Sequence, residues 1–302
     1  HQQQVTRVNK QRVAILTDST ADIPQSILSE LNIHVIPLTI VMAGRSYLDK
    51  VSLSPEEFYE KLDQASTIPT TSQPNIGLFT QKYQYLLSHY DSVIAIHISS
   101  QLSGTMSVSE KAAKPFSDKI TVIDGASASV ELGLIVKEAA VAAYNNNTHE
   151  HVIAVIENAR KRISSFSIPS TLSYAVRGGR LPKSIQSTFD VFHLKPILIF
   201  NKNGKMKSVG VVRVKDNITS KLIDFVRKKI RPKKQYDVIV AHANDNVAAE
   251  LVADTLSRIP VVRKVGIMIC SPVIGVHVGP GALGVALVDL TCDVSLSKEE
   301  FV

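Results

Sequence analysis

Apolar and polar positions along this chain follow two rhythms, and the change between them falls a little past the middle. Residues 12–18 (R-V-A-I-L-T-D) form an aliphatic run closed by polar Ser19 and Thr20, the pattern of a strand covered on both faces. Pro24 suits the first turn of a helix reaching about Leu31. Residues 34–42 (H-V-I-P-L-T-I-V-M) read as a second strand, with Ala43-Gly44 as the turn after it. Ser54, Pro55 and Glu57 have the spacing of a capping box, which predicts a helix to Leu62. Strands are predicted over 92–99 and 119–124, with a helix at about 105–113 between them and an Ala-rich helix at about 129–145. Strand–helix alternation of this kind builds a mostly parallel sheet with helices on both faces.

The second half differs. Residues 194–213 are two apolar runs around Asn203-Gly204, the strongest short signal for a hairpin. A basic helix (about 216–230), a strand (236–242), a helix (246–258) and strands over 265–270 and 281–289 follow. This predicts a second α/β unit with an antiparallel or mixed sheet. The change of rhythm lies between about 165 and 185, so the expected domains are 12–172 and 173–302. A chain of 302 residues is long enough for two ordinary domains.

Composition narrows the class. The chain is 44% hydrophobic, mostly Val, Ile, Leu and Ala, and has no Trp. No apolar run approaches the roughly 20 residues of a membrane helix. The opening H-Q-Q-Q-V-T-R-V-N-K has neither an initiator Met nor an apolar signal core. It reads as a trimmed end outside the fold, and the expected compartment is cytoplasmic. Cys270 and Cys292 are too few for a disulfide framework or a four-ligand zinc site, so both are expected to act as small buried hydrophobes, with no metal.

Charge is uneven. Residues 1–184 hold 17 basic and 16 acidic residues (net +1), and residues 185–302 hold 17 and 11 (net +6), which sum to the overall +7. The densest run is R-K-K-I-R-P-K-K (227–234). No helix-turn-helix, RNP or zinc-finger signature accompanies it, so nucleic acid is not an expected partner. A solvated helix end explains the run, as does a surface for an anionic membrane or an acidic protein.

Several motifs exclude chemistry. G-P-G-A-L-G (279–284) matches G-x-G-x-x-G, but a strand follows it where the dinucleotide fingerprint needs a helix, so the glycines instead allow close backbone approach. No Walker loop and no G-x-S-x-G elbow occur, which argues against ATP cleavage and serine hydrolysis. His149 and His151 lack metal-ligand spacing and are expected at the surface.

Two hydroxyl-rich segments remain, T-T-S-Q-P (70–74) and S-S-Q-L-S-G-T (99–105). Each could simply cap the helix after it. The second follows a predicted strand, at the carboxyl edge where open α/β sheets bind ligands. Helix N-termini carrying hydroxyls and free N–H groups also hold anions well.

D-S-T (18–20), T-S-Q-P (71–74), S-S-x-L-S-G-T (99–105), R-G-G-R-L (177–181), K-P-I-L (195–198) and G-P-G-A-L-G (279–284) occur in the order found in the DegV family, which the chain resembles from about residue 12 to 300. Met106 departs from the pattern, since many relatives carry an aromatic residue there. The resemblance, which extends to similarity with the FakB-type subunits of bacterial fatty-acid kinases, implies a two-domain α/β protein with one long-chain fatty acid in a tunnel between domains. It implies that Thr71 and Ser103, with Ser72 and Gly104 beside them, bind the carboxylate, helped by His277 and by Arg177 or Arg180. It further implies no cofactor, no catalytic residue, and a separate ATP-dependent kinase that phosphorylates the presented acid for lipid synthesis. Two alternatives stand beside it. One is an acyl hydrolase or transferase with Ser103 as nucleophile and His277 as base. The other makes His277 a buried strand histidine satisfied by the backbone.

Overall fold

The computed structural model describes residues 12–65 and 67–291. The N-terminal segment expected to lie outside the fold, and Cys292, fall outside the described residues.

The first half contains, in order, β1 (Val13–Asp18), α1 (Gln25–Glu30), β2 (His34–Ile36), β3 (Thr39–Met42), β4 (Arg45–Leu48), α2 (Pro55–Asp63), β5 (Thr70–Ser72) and α3 (Ile76–Leu87). It continues with β6 (Ser92–His97), α4 (Thr105–Ala113), β7 (Ile120–Asp124), α5 (Ser129–Tyr144) and α6 (His149–Arg162). Four strands make a parallel sheet in the order β2-β1-β6-β7. A small antiparallel sheet, β4-β3-β5, sits beside it.

The predicted strand over 34–42 is two strands in two different sheets. Pro37 explains the break, since it has no N–H for a ladder and a fixed φ. On either side of it, the Ile36 carbonyl accepts from Ser19 N–H (3.1 Å) and Leu38 N–H donates to the Ser19 hydroxyl (3.0 Å). The Ala43-Gly44 turn is present with φ of +49° and +74°, the double positive φ of a two-residue hairpin loop. The capping box of α2 is closed reciprocally, Glu57 N–H to Ser54 Oγ at 3.2 Å and Ser54 N–H to Glu57 Oε2 at 3.1 Å.

The second half contains β8 (Ile163–Ile168), α7 (Ser173–Arg177), α8 (Lys183–Val191), β9 (Leu194–Phe200), β10 (Met206–Arg213), α9 (Ile218–Lys229), β11 (Tyr236–His242), α10 (Asn246–Ser257), β12 (Val262–Ile269), α11 (Pro272–Val278) and β13 (Leu283–Asp289). Six strands form a mixed sheet, β10-β9-β8-β13-β11-β12, in which only β11 and β12 are parallel. The Asn203-Gly204 hairpin is β9–β10. Its tip reaches back to the first half, where Ser99 Oγ donates to the Gly204 carbonyl at 2.7 Å.

The layers follow from which faces are apolar. One face of the parallel sheet packs on α3 and α4 through Ala14, Leu16, Phe79, Tyr83 and Val93. Its other face, with Ile15, Ile94 and Ile96, shares a core with α5, α6 and the near face of the mixed sheet, including Ala241, Ala286 and Val288. The far face of the mixed sheet, with Phe166, Val240 and Val285, packs on α9 and α10. The chain is therefore an α/β protein whose two main sheets lie on either side of one shared helical layer.

His149 is half-buried rather than a free surface residue. Its ring bridges Ser92 Oγ and Thr121 Oγ1, both at 2.8 Å, and pins the start of α6 to the parallel sheet. Cys270 is a buried free thiol, and burial raises its pKa strongly. Among the described residues no helix is long and apolar enough to cross a membrane.

Candidate functional site

Strand alternation creates a void where the two halves meet. Along β8, Phe166 and Ile168 turn to the far core, leaving Ser165 and Ser167 on the near face. Ala241 on β11 and Gly284 on β13 are equally small and face the same space. Opposite them lie Ala128, Ser129 and Cys270. Residues this short cannot fill the gap between a sheet and a helical layer, so an apolar cavity remains. Leu38, Leu102, Leu198, Phe200, Ile274 and Val278 extend its walls.

One end of the cavity is polar, and four separate elements supply it. Thr71 comes from β5, held by antiparallel pairing with Ile40 of β3. Ser103 comes from the loop between β6 and α4, coiled into a turn by Leu102 N–H and Ser103 N–H to the Ser99 carbonyl at 2.9 and 3.2 Å. Arg180 follows α7, with its N–H on the Ala175 carbonyl at 2.8 Å. His277 lies in the last turn of α11. The start of α11 is fixed by two buried carboxylates of the first half: Ser271 N–H donates to Asp22 Oδ1 (3.1 Å) and Val273 N–H to Asp49 Oδ1 (3.4 Å).

His277 Nε2 and Thr71 Oγ1 are 2.8 Å apart. His277 Nδ1 is shut off from solvent and has no hydrogen-bond partner among the described residues. Burial first, and then the Arg180 charge, push the imidazole pKa down to about 4, so the ring is neutral near pH 7. A neutral imidazole has one proton to place. An orphaned buried N–H costs more than an orphaned lone pair, which favours the proton on Nε2. His277 then donates to the Thr71 oxygen, and the Thr71 hydroxyl proton is free to point into the cavity.

Arg180 makes two backbone bonds, Nε to the Leu102 carbonyl at 3.1 Å and Nη1 to the Gly178 carbonyl at 2.6 Å. Among the described residues it has no carboxylate partner, and burial lowers its pKa. A cation lines the apolar cavity without a counter-ion. Ser103 Oγ accepts from Thr105 N–H at 3.2 Å and lies 2.8 Å from Thr105 Oγ1. If Thr105 donates there, the Ser103 proton is also available to a ligand.

The structure thus brings Thr71, Ser103, Arg180 and His277 to one end of one cavity. It does not bring Ser72, Gly104 or Arg177 there: all three are exposed and outside the lining. Gly104 has a different role, since a Cβ on it would lie 2.3 Å from Gln73 Oε1, so the glycine lets the two hydroxyl-rich segments touch. Neither segment is a simple side-chain cap for the next helix, as Asn75 caps α3 and the N-cap of α4 is Gly104. His277 sits on a helix rather than a strand, and the backbone does not satisfy it. The Ser103–His277 pair of the hydrolase alternative is not made, because His277 bonds Thr71 and Ser103 bonds Thr105.

A hydrolase-like array does occur elsewhere. Asp18 Oδ2 lies 3.1 Å from His97 Nδ1, and His97 Nε2 lies 2.9 Å from Ser109 Oγ, which meets the Tyr83 hydroxyl at 2.5 Å. All four side chains are fully buried and none lines the cavity, so no substrate reaches Ser109. Asp18 is also bonded by Thr20 and by Ile98 N–H, and against burial its pKa is held below the usual range by His97 first and then by these two contacts. D-S-T is a structural clamp at the end of β1.

Sequence reasoning missed Gly178 and the small residues of the mixed sheet. A Cβ at Gly178 would lie 2.3 Å from His277 Nδ1, so only glycine lets the imidazole seat there. The alternation of I-S-S-F-S-I in β8, small and polar on one face, was the available signal. The glycines of G-P-G-A-L-G serve close approach: Gly279, at φ +71°, packs on the Tyr174 ring.

The sequence profile of the DegV family, described as uncharacterised proteins, matches residues 12–290. The chain belongs to the DegV family. A DegV domain-containing protein of Caldanaerobacter subterraneus is 32% identical over 279 residues, covering 91% of this chain and 98% of the relative. One from Listeria innocua is 31% identical over 278 residues, covering 91% and 97%. Among solved structures, a DegV-family protein from Thermus thermophilus described as fatty-acid binding superposes with a TM-score of 0.84 at 28% identity, covering 92% of this chain and all of that one. DegV of Bacillus subtilis, described as a fatty-acid-binding protein, gives 0.81 at 30% identity, covering 94% and 100%.

Proposed function

We propose that this DegV-family chain binds one long-chain fatty acid, with the acyl chain in the apolar cavity and the carboxylate at Thr71, Ser103, Arg180 and His277. The observation that carries the reading is Arg180, a cation on the wall of an apolar cavity with no carboxylate partner among the described residues. A monovalent acid with a long apolar tail supplies what that wall lacks on both counts. The descriptions of the Thermus and Bacillus relatives as fatty-acid binding support the same ligand. Arg180 is the member of the R-G-G-R pair assigned to the ligand, because Arg177 is exposed and off the cavity.

In this reading the protein is a cytoplasmic carrier and not an enzyme by itself. It presents the carboxylate to a separate ATP-dependent kinase, which moves the γ-phosphoryl group to a carboxylate oxygen and yields acyl phosphate for phospholipid synthesis. The missing Walker loop, and the bonding of His277 to Thr71 and of Ser103 to Thr105 rather than to each other, support a presenting role over a hydrolytic one. The exposed basic residues of 227–234 are the surface assigned to that kinase or to transient contact with an anionic membrane.

The test is titration of delipidated protein with oleate and palmitate by calorimetry, together with incubation with acyl esters. One-to-one binding without ester turnover is the expected result. Absence of saturable binding, or steady ester hydrolysis lost in Ser103→Ala, would overturn the reading.

A further inference from the structure

A second pocket lies on the far side of the parallel sheet's edge and shares no lining residue with the acyl cavity. It is formed where α1, the edge strand β2 and α3 meet, and Gln25, His34, Lys82 and Tyr85 line it. The lining contains no aspartate or glutamate.

Its donors are arranged by the hydrogen bonds around Tyr90. Asn32 Nδ2, which can only donate, lies 2.5 Å from the Tyr90 oxygen. The phenol proton is therefore free for His34 Nε2, 3.2 Å away. This places the proton of the neutral imidazole on Nδ1, which has no hydrogen-bond partner among the described residues. Lys82 is half-buried and forms no ion pair among the described residues. The Gln25 amide spends one N–H on Ser29 Oγ at the long distance of 3.4 Å and keeps the other.

Electrostatics agrees with this geometry. Burial, then the charges of Lys82 and His89, push His34 down to about pH 4. Burial also lowers Lys82. Every charged neighbour that perturbs His34 is basic. The pocket holds an ammonium partly out of water with no group of opposite sign in its lining among the described residues, a cost that an anion would offset.

We propose that this pocket is a second ligand site that takes a phosphoryl group, either as free phosphate or as a phosphate monoester. Lys82 supplies the charge, and His34 Nδ1–H, the Gln25 amide and the Tyr85 hydroxyl supply further donors. Four donor groups suit the three terminal oxygens of a monoester better than the two of a carboxylate. The lining offers no carboxylate to recruit a cation, and the positive charge comes from Lys82 itself.

The experiment titrates the full chain with inorganic phosphate, and separately with glycerol 3-phosphate, at constant ionic strength in chloride. Backbone amide and aromatic NMR shifts are followed at His34, Lys82 and Tyr85. Saturable shifts with a Kd on the order of 1 mM are expected, confined to this pocket and leaving fatty-acid affinity unchanged. Lys82→Met keeps the apolar stem and removes the charge, so it should weaken binding by about tenfold or more. Gln25→Ala, on an exposed residue, should weaken it less and guards against a folding defect. Tighter binding of glycerol 3-phosphate assigns the site to a monoester, and tighter binding of inorganic phosphate assigns it to the free ion. Shifts that fail to saturate with either probe, or affinities unchanged in both variants, would overturn the site.

Discussion

Replacing Thr71 by valine removes one hydroxyl and almost no volume, so it isolates the proposed carboxylate bond from packing. In the free protein, Thr71 Oγ1 is the only partner of His277 Nε2 among the described residues, at 2.8 Å. Its loss leaves a buried N–H unsatisfied, which costs about 1–2 kcal/mol. For a chain of this size that lowers Tm by only a few degrees, roughly 2–4 °C per kcal/mol. Binding should suffer more. A hydrogen bond to a charged group contributes about 1.5–3 kcal/mol, or about ten- to hundredfold in Kd. Thr71→Ser keeps the hydroxyl and should stay within about threefold of wild type, well under 1 kcal/mol. The assay is calorimetric titration of delipidated protein with oleate, alongside thermal unfolding of each variant. A folded Thr71→Val protein with wild-type affinity would refute the reasoning, as would Thr71→Ser failing as badly as valine.

Further outcomes follow from other parts of the structure. Gly284→Leu should fold, because a Cβ there makes only ordinary contacts of 3.5 Å and beyond, while its branch enters the cavity; lipid extracts should then show lost or shortened acyl chains, and unchanged long-chain content would contradict the placement of the tail. Arg180→Gln should weaken fatty-acid binding and raise the His277 pKa from about 4, since the Arg180 charge helps depress it; a His277 titration by NMR that does not move upward would contradict that coupling. Glu131 is buried beside Ser165 and its pKa is raised to about 7 by burial, so its folded form favours the proton and stability is lost as pH rises from about 4.5 through 7. Glu131→Gln should therefore stabilise the protein at pH 8.5 by up to about 3 kcal/mol and far less at pH 5; urea denaturation showing equal effects at both pH values would exclude it. Charge reversal across 227–234 should weaken kinase or vesicle association while sparing fatty-acid affinity, and unchanged association would return that run to a solvated face.

How much of this was legible depended on the range of the contacts involved. The capping box at Ser54 and the hairpins at Ala43-Gly44 and Asn203-Gly204 are local, and the sequence carries them openly. Pro37 was visible too, but its effect, sending β2 and β3 into separate sheets, depends on Ser19 bonding both sides of the break. The short strand β5 has three residues and little apolar character, so only its pairing with β3 makes it a strand. His277 was read next to a strand-like run, yet Pro272 starts a helix there, anchored by Asp22 and Asp49 more than 220 residues earlier. The cavity was the least legible feature. Ser165, Ser167, Ala241 and Gly284 are unremarkable one by one, and they form a void only when sheet register aligns them. Thr71, Ser103, His277 and an arginine of R-G-G-R were reached through resemblance, whereas the exposure of Ser72, Gly104 and Arg177 required the structure.

Native mass spectrometry of the purified, undenatured chain tests the central claim most directly. The account predicts a dominant species heavier than the polypeptide by the mass of one long-chain fatty acid, released by organic extraction and restored by adding oleate. Arg180→Gln and Thr71→Val proteins should carry less of it under the same conditions. A wild-type protein that stays at the bare polypeptide mass, both as purified and after incubation with fatty acid, would contradict the account.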